Sequence, residues 1–176
     1  MKYLITACVL SEFSKRRPKL GLLNFFERSQ IAIPFGTCLT IERGLEALSK
    51  RDACKAAELR KFYEELLTGV EVIGNRDRDI ARVLARILDH APLRNTWLPN
   101  ERAKLPSYGH YPMVAAASIV TELPIAAVKT RDLERIDSVF PLPGIFNPAL
   151  MLHQMPSQQP YPPTSAAAPP HSSAAE

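Results

Sequence analysis

The stretch that decides the fold lies near the start of the chain and reads YLITACVLSE from Tyr3 to Glu12. Its first three residues form a short apolar run of the kind found in a buried strand. Similar runs, mostly separated by helical patterns of apolar residues, recur at residues 31–34, 70–73, 123–128 and 139–142. Strands that alternate with helices predict a single α/β domain with a central parallel sheet of about five strands, flanked by helices.

The predicted sheet also predicts where a site would form. In an open parallel sheet, ligands bind at the carboxyl ends of the strands, near the point where the strand order reverses. The positions of interest therefore lie directly after Ile5, after Pro34, before Met113 and after Val128.

The composition is that of a globular domain with an extension. Of the 176 residues, 46% are hydrophobic and 23% are charged. Near Gln154 the sequence changes to Pro, Ser, Ala and Gln, a composition that cannot bury enough apolar surface to fold. We predict a folded domain over residues 1–150 and a disordered tail over residues 151–176. The formal net charge of +4 permits nucleic-acid binding without implying it.

The three cysteines are an odd number without metal-ligand spacing. They favour a reduced, cytoplasmic setting in which each thiol acts as a small core residue. No stretch approaches the roughly 20 apolar residues of a membrane-spanning helix. The apolar run at the amino terminus ends at Leu10 and has no convincing signal-peptide cleavage site.

Five segments, taken in order, resemble motifs of the PIN-domain family, and in particular of VapC-like plasmid-stability toxins. Typical family patterns are YLLDTNVLSE, TLxEIxxGI, DLAIAATAIV, ATRNxxDF and FPLPGLYNP. The corresponding segments here are YLITACVLSE at residues 3–12, TCLTIERGL at 37–45, YPMVAAASIV at 111–120, AAVKTRDL at 126–133 and FPLPGIFNP at 140–148. The resemblance extends from Tyr3 to about Pro148 and implies a PIN-like fold for the whole predicted domain.

The resemblance implies a metal-dependent ribonuclease from a type II toxin–antitoxin module. In that family, carboxylates hold one or two Mg²⁺ or Mn²⁺ ions, which activate water and stabilise the displacement at a phosphodiester. The resemblance also implies a homodimer and a VapB-like antitoxin partner. Neighbouring helices of the family form a groove for an antitoxin helix, so part of the apolar stripe on the helix predicted at residues 53–67 can be an interface.

This chain departs from the family pattern at most of the acidic positions. The resemblance places Thr6, Thr40, Tyr111 and Lys129 where the family has metal-binding acids, while Asp132 keeps its acid. These four side chains cannot supply the negative charge that retains a hard divalent ion. The resemblance therefore implies a catalytically degenerate protein, a pseudoenzyme, that needs no metal cofactor.

Two alternatives remain open at this stage. One is an active magnesium-dependent endoribonuclease toxin whose rearranged metal site uses Asp132 and other acids. The other is RNA binding without metal, through the pocket and the basic surface. The residues themselves also have simpler interpretations. Asp132 suits the first turn of a helix, His110 can be a general base or a packed ring, and Cys8 can be a reactive thiol or a small buried residue.

Overall fold

The structure is a computed structural model that describes residues 1–74, 78–97, 110–150 and 152–154. The strands are β1 (Lys2–Ile5), β2 (Gln30–Pro34), β3 (Glu71–Ile73), β4 (Ile125–Ala126), β5 (Ile145–Asn147) and β6 (Leu152–Gln154). The helices are α1 (Ala7–Phe13), α2 (Leu20–Arg28), α3 (Phe35–Ser49), α4 (Ala53–Leu66), α5 (Arg78–Asp89), α6 (His110–Thr121) and α7 (Arg131–Asp137), with a 3₁₀ helix at Ala91–Thr96.

The described strands form one sheet in the order β3-β2-β1-β4-β5-β6. β1 to β5 run parallel, and β6 pairs antiparallel with β5. The prediction of an α/β domain with about five parallel strands is therefore confirmed. β6 lies inside the segment predicted as a disordered tail. The remainder of that segment lies outside the described residues, so the domain boundary and the tail stay predictions.

The central strands β1, β2 and β4 are largely buried on both faces, as expected for parallel strands. Along β1, Leu4 points into a cluster with α5, α6 and α7, whereas Tyr3 and Ile5 point into a second cluster with α1 and α2. This alternation follows from the two-residue period of a strand. No described helix is both long and apolar enough to cross a membrane.

The start of α6 is held close to the start of α3. A Cβ atom added to Gly36 of α3 would lie 2.8 Å from the Met113 Cβ and 3.0 Å from the His110 carbonyl oxygen. Only glycine allows this approach, because any other residue would force the two helices apart. The contact fixes the first turn of α6, including His110 and Tyr111, beside the carboxyl end of the sheet.

One predicted strand is wrong. Residues 139–142 form an irregular segment after α7, in which Phe140 and Leu142 are buried. The backbone N–H of Leu142 donates to the Asp137 carboxylate at 2.7 Å, and Pro141 has no N–H to offer a neighbouring strand. The apolar run therefore fills the core from a loop, and the last parallel strand is β5, which begins after the turn at Gly144.

Candidate functional site

The candidate site lies where the strand order reverses. β1 is flanked by β2 on one side and by β4 on the other, and the chain builds β1 to β3 outward before it crosses to β4 and β5. The carboxyl ends of β1 and β4 therefore border a crevice of the type that binds ligands in open α/β sheets. Thr6 directly follows β1, and Lys129 follows β4 by three residues.

Thr6 joins the two central strands. Its side chain is fully buried between β1 and α1. The Oγ1 hydroxyl donates to the carbonyl oxygen of Ala126 in β4 at 2.9 Å and lies 3.1 Å from the Cys8 sulfur. The backbone N–H of Thr6 donates to the same carbonyl at 3.2 Å. Thr6 thus connects the end of β1 to β4 through two hydrogen bonds.

Cys8 lies at the centre of the polar contacts in this crevice. It is half-buried in the first turn of α1, and its sulfur accepts a hydrogen bond from the backbone N–H of Val128 at 3.4 Å. The Tyr111 phenol lies close enough to this thiol for the two groups to interact electrostatically. Three elements, α1, α6 and the segment after β4, therefore meet at one sulfur atom.

Tyr111 is a buried residue that α6 contributes to the crevice. The ring is 8% exposed. Burial raises the pKa of its phenol well above the ordinary value, and the neighbouring Cys8 and Asp132 act in the same direction. The adjacent ring of His110 lies 4.0 Å away between ring centroids, at an interplanar angle of 37°. Tyr111 is consequently a neutral, buried phenol at neutral pH.

His110 is a half-buried imidazole at the start of α6. Burial lowers its pKa, and the positive charges of Arg43 and Lys129 also lower it, while the Asp132 carboxylate acts in the opposite direction. The ring is therefore mainly neutral at pH 7.

Two adjoining cavities make up the crevice. We call the first the apolar cavity; its volume is about 490 Å³, and apolar side chains of α3 and α4 form most of its wall. It is lined by Ala7, Cys8, Ser11, Thr40, Ile41, Gly44, Leu45, Leu48, Leu59, Tyr63, His110, Tyr111 and Lys129. We call the second the basic cavity; its volume is about 730 Å³, and it is lined by His110, Tyr111, Lys129, Thr130, Arg131, Asp132 and Arg135.

The structure brings most of the predicted positions together. Thr40, Tyr111 and Lys129 line the apolar cavity, and Tyr111, Lys129 and Asp132 line the basic cavity. Thr6 lies beneath both cavities, in contact with Cys8. The Thr40 hydroxyl donates within its own helix to the Gly36 carbonyl at 2.8 Å.

Glu42, the acid two residues after Thr40, lines neither cavity of the crevice. Glu42 is exposed, and its carboxylate forms an ion pair with Arg60 at 2.7 Å. Asp132 is partly exposed and lies 3.8 Å from the Arg135 guanidinium, between the charged atoms. Of these two acids, only Asp132 lines the crevice, and it faces an arginine side chain.

The donor set does not suit a hard divalent metal ion. Mg²⁺ and Mn²⁺ require oxygen ligands whose negative charge offsets the loss of hydration. The crevice presents neutral hydroxyls, a thiol, an imidazole and the Lys129 ammonium group, with one carboxylate already facing Arg135. Within the described ranges, no group of three or more His, Cys, Asp or Glu side chains could hold a metal ion.

Several lining residues were not predicted from the sequence. Ser11 lies one turn after Cys8 on α1, a helix that the apolar pattern did not reveal. Arg135 lies one turn after Asp132 on α7. A spacing of three residues between an acid and an arginine was the available signal for that contact.

Solved structures share this fold, although no sequence match is found. No family model matches the sequence, and no curated protein matches it. A chain of the FitAcB crystal structure from Neisseria gonorrhoeae has a TM-score of 0.57 and 19% sequence identity, over 84% of this chain and 98% of that chain.

Two further solved structures give the same result. VapBC2 from Rickettsia felis, bound to a DNA fragment from its promoter, has a TM-score of 0.56 and 12% identity, over 77% of this chain and 92% of that chain. VapBC-1 from nontypeable Haemophilus influenzae has a TM-score of 0.55 and 13% identity, over 78% and 94%. At these identities the comparisons show a shared fold.

Proposed function

We propose that this chain is a VapC-like PIN-domain protein of a type II toxin–antitoxin module, and that its nuclease site is catalytically degenerate. Two lines of evidence support this. The chain shares its fold with chains of FitAcB and VapBC structures, and its sequence resembles the family's motifs in five consecutive segments. The position of Lys129 is the main observation in support of a degenerate nuclease site. Lys129 lines both cavities beyond the carboxyl end of β4, at a position where the family pattern has an acid.

Electrostatics gives the physical reason. A lysine ammonium group within a few ångströms repels a divalent cation, and neutral side chains such as Thr40 and Tyr111 cannot offset that repulsion. Without the ion, neither water activation nor stabilisation of the phosphoryl transition state is available. The proposed role therefore depends on binding a protein partner rather than on cleaving RNA.

The first test is metal binding and RNA cleavage by the purified full chain. We expect no heat of binding with millimolar Mg²⁺ or Mn²⁺ and no metal-dependent cleavage of a structured RNA. If both occurred, and both were lost in Asp132→Ala, the alternative of a rearranged ribonuclease site would replace this proposal.

A reconstruction provides the matching positive control. Combining Lys129→Asp with Tyr111→Asp and Thr40→Glu gives the crevice four acids with Asp132, and we expect this variant to gain millimolar affinity for Mn²⁺. The single variant Lys129→Asp, which leaves only two acids, should gain little.

The partner side of the proposal centres on the groove between α3 and α4. A cavity of about 290 Å³ lies there, with an apolar floor and a charged rim. Its lining residues are Cys38, Ile41, Glu42, Leu45, Arg60, Tyr63, Glu64 and Leu67. An amphipathic helix with apolar anchors and flanking charges is the kind of ligand such a groove accepts. We propose that it receives a VapB-like antitoxin helix.

The partner test uses two neighbouring residues of α4. Arg60 lies on the groove rim and pairs with Glu42, whereas the Lys61 side chain is 79% exposed and does not line the groove. When the chain is co-expressed with the product of an adjacent antitoxin-like gene, we expect the two proteins to copurify. Arg60→Glu should weaken the complex, and Lys61→Glu, with the same charge change, should not. A homodimer, also proposed from the resemblance, is tested by light scattering on the same samples.

A further inference from the structure

The net charge of the basic cavity points to an anionic ligand. Lys129, Arg131 and Arg135 contribute three positive charges, and Asp132 contributes one negative charge, so the four side chains carry a net charge of two positive. Burial keeps His110 mainly neutral at pH 7 and lowers its pKa. A site with this charge favours a dianion over a metal cation.

Hydrogen-bonding groups accompany the charge. Thr130 supplies a hydroxyl to the same cavity, and the two arginine side chains supply planar forks of N–H donors. Arginine and lysine together with hydroxyl donors are the groups that recognise phosphate oxygens in proteins. A phosphate monoester carries a charge of about −1.5 to −2 at pH 7, which matches the cavity better than a carboxylate with one charge.

The adjoining apolar cavity limits what the phosphate can be attached to. The two cavities share His110, Tyr111 and Lys129 as a common wall. Beyond this wall, Ile41, Leu48 and Leu59 present apolar surface in a volume of about 490 Å³, within the range of about 300–1,000 Å³ that suits small organic ligands. A ligand that extends from one cavity into the other would place its anionic end beside Arg131 and Arg135 and its body beside Leu48 and Leu59.

We propose that this crevice binds a small phosphate monoester with an apolar or aromatic body, the phosphate in the basic cavity and the body in the apolar cavity. This inference goes beyond the proposed partner role, because it requires neither a metal ion nor an antitoxin. It assigns to the carboxyl end of β1 and β4 a ligand of opposite charge to the metal ion that the family resemblance implies.

The test uses phenyl phosphate, inorganic phosphate and phenol as probes of the full chain, measured by calorimetry in a phosphate-free buffer at low ionic strength. We expect phenyl phosphate to bind at least about tenfold more tightly than inorganic phosphate, and phenol to show no measurable binding. Added salt should weaken the binding of both anions, because exposed cations are screened.

Substitutions separate the two ends of the ligand. Lys129→Gln and Arg131→Gln should each weaken phenyl phosphate and inorganic phosphate by about fivefold. Arg17→Gln makes the same change at an exposed arginine outside both cavities and should have no effect. Equal losses in Arg17→Gln would show only a general effect of net charge and would overturn the proposal.

The apolar end is tested at Gly44 of α3. Gly44 lines the apolar cavity, and a Cβ atom added there meets no heavy atom within 4 Å. Gly44→Leu should fill the cavity and reduce phenyl phosphate binding to the level of inorganic phosphate, whereas Gly44→Ala should change neither. If Gly44→Leu does not fold, the ratio of phenyl phosphate affinity to inorganic phosphate affinity in the parent protein still tests the apolar end, and equal affinities would contradict it.

Two results would overturn the proposal directly. One is the absence of phenyl phosphate binding up to about 10 mM, since a ligand of this size should exceed that affinity in a matched site. The other is tight binding of a single-stranded oligoribonucleotide with no binding of phenyl phosphate, which would indicate a polynucleotide surface instead of a small-molecule site.

Discussion

The floor of the crevice and its rim differ in what they contribute to the molecule. The floor consists of Thr6, Cys8 and Tyr111, which are buried or half-buried. Hydrogen bonds join Thr6 and Cys8 to each other and to the segment that includes β4, and Tyr111 lies beside Cys8. The rim consists of Lys129 and Asp132, which are at least partly exposed and face solvent and the cavities. Substitutions in the floor should therefore change stability, and substitutions in the rim should change binding and local pKa values.

The largest effect is expected from an acid in the floor. Thr6→Asp would place a carboxylate in a fully buried position, against the Ala126 carbonyl oxygen and the Cys8 sulfur. We expect the free energy of unfolding to fall by about 3 kcal/mol or more, measured by denaturant titration. Thr6→Ser keeps the hydroxyl and should cost much less.

The pH dependence of Thr6→Asp follows from the same burial. Burial raises the pKa of a carboxyl group above its unfolded value of about 4, so the folded state prefers the protonated acid. The loss of stability should be complete at neutral pH and should decrease as the pH falls through the folded pKa toward 4. Rescue of this variant by millimolar Mg²⁺ would contradict the view that the remaining residues hold no metal.

Two glycines of α3 provide the next comparison. Gly36 faces α6 with no room for a Cβ atom, whereas Gly44, two turns later, faces open space. Gly36→Ala should destabilise the protein by about 1–3 kcal/mol, because the added Cβ meets the Met113 Cβ and the His110 carbonyl oxygen. Gly44→Ala should stabilise it by about 0.5–1 kcal/mol through helix propensity. Thermal unfolding of the pair measures both, and equal effects would contradict the close approach of α3 and α6.

Tyr111→Phe tests the contribution of the buried Tyr111 hydroxyl beside Cys8. We expect the free energy of unfolding to fall by about 1 kcal/mol near neutral pH, because the polar contact of the hydroxyl with the thiol is lost while the ring still packs. The raised pKa of Tyr111 adds a second signature. Above about pH 10 the unfolded tyrosine ionises and the folded one does not, so the parent protein loses stability as the pH rises further. Tyr111→Phe should lack this part of the decline in urea titrations between pH 9 and pH 11.

The sequence predicted the sheet better than it predicted the surroundings of the site. Short apolar runs such as Tyr3-Leu4-Ile5 identify parallel strands because those strands are buried on both faces. The segment at residues 139–142 is also mainly apolar but lies in a loop, because Pro141 has no N–H and the N–H of Leu142 donates to Asp137. An apolar run alone does not distinguish these two cases.

Residues that the resemblance marked lie close together in the structure, but the contacts around them were not predicted. The family resemblance marked Thr40, Tyr111 and Lys129, and the structure brings these three residues to one cavity. The role of Cys8 was not evident, because its partner Val128 is 120 residues away and no periodic pattern connects them. Such contacts follow from sheet order, which depends on the packing of the whole domain.

The smallest expected effect concerns the rim and its influence on His110. Burial is the main cause of the lowered pKa of this histidine, and the charges of Lys129 and Asp132 act on it in opposite directions. Lys129→Gln should raise the midpoint of the His110 ring titration, followed by NMR, and Asp132→Asn should lower it. Both variants should keep the free energy of unfolding within about 0.5 kcal/mol of the parent value, because both residues are at least partly exposed. If the two midpoints moved in the same direction, or if either variant lost as much stability as Tyr111→Phe, the rim would belong to the structural floor, and the separation of binding from stability in this crevice would be wrong.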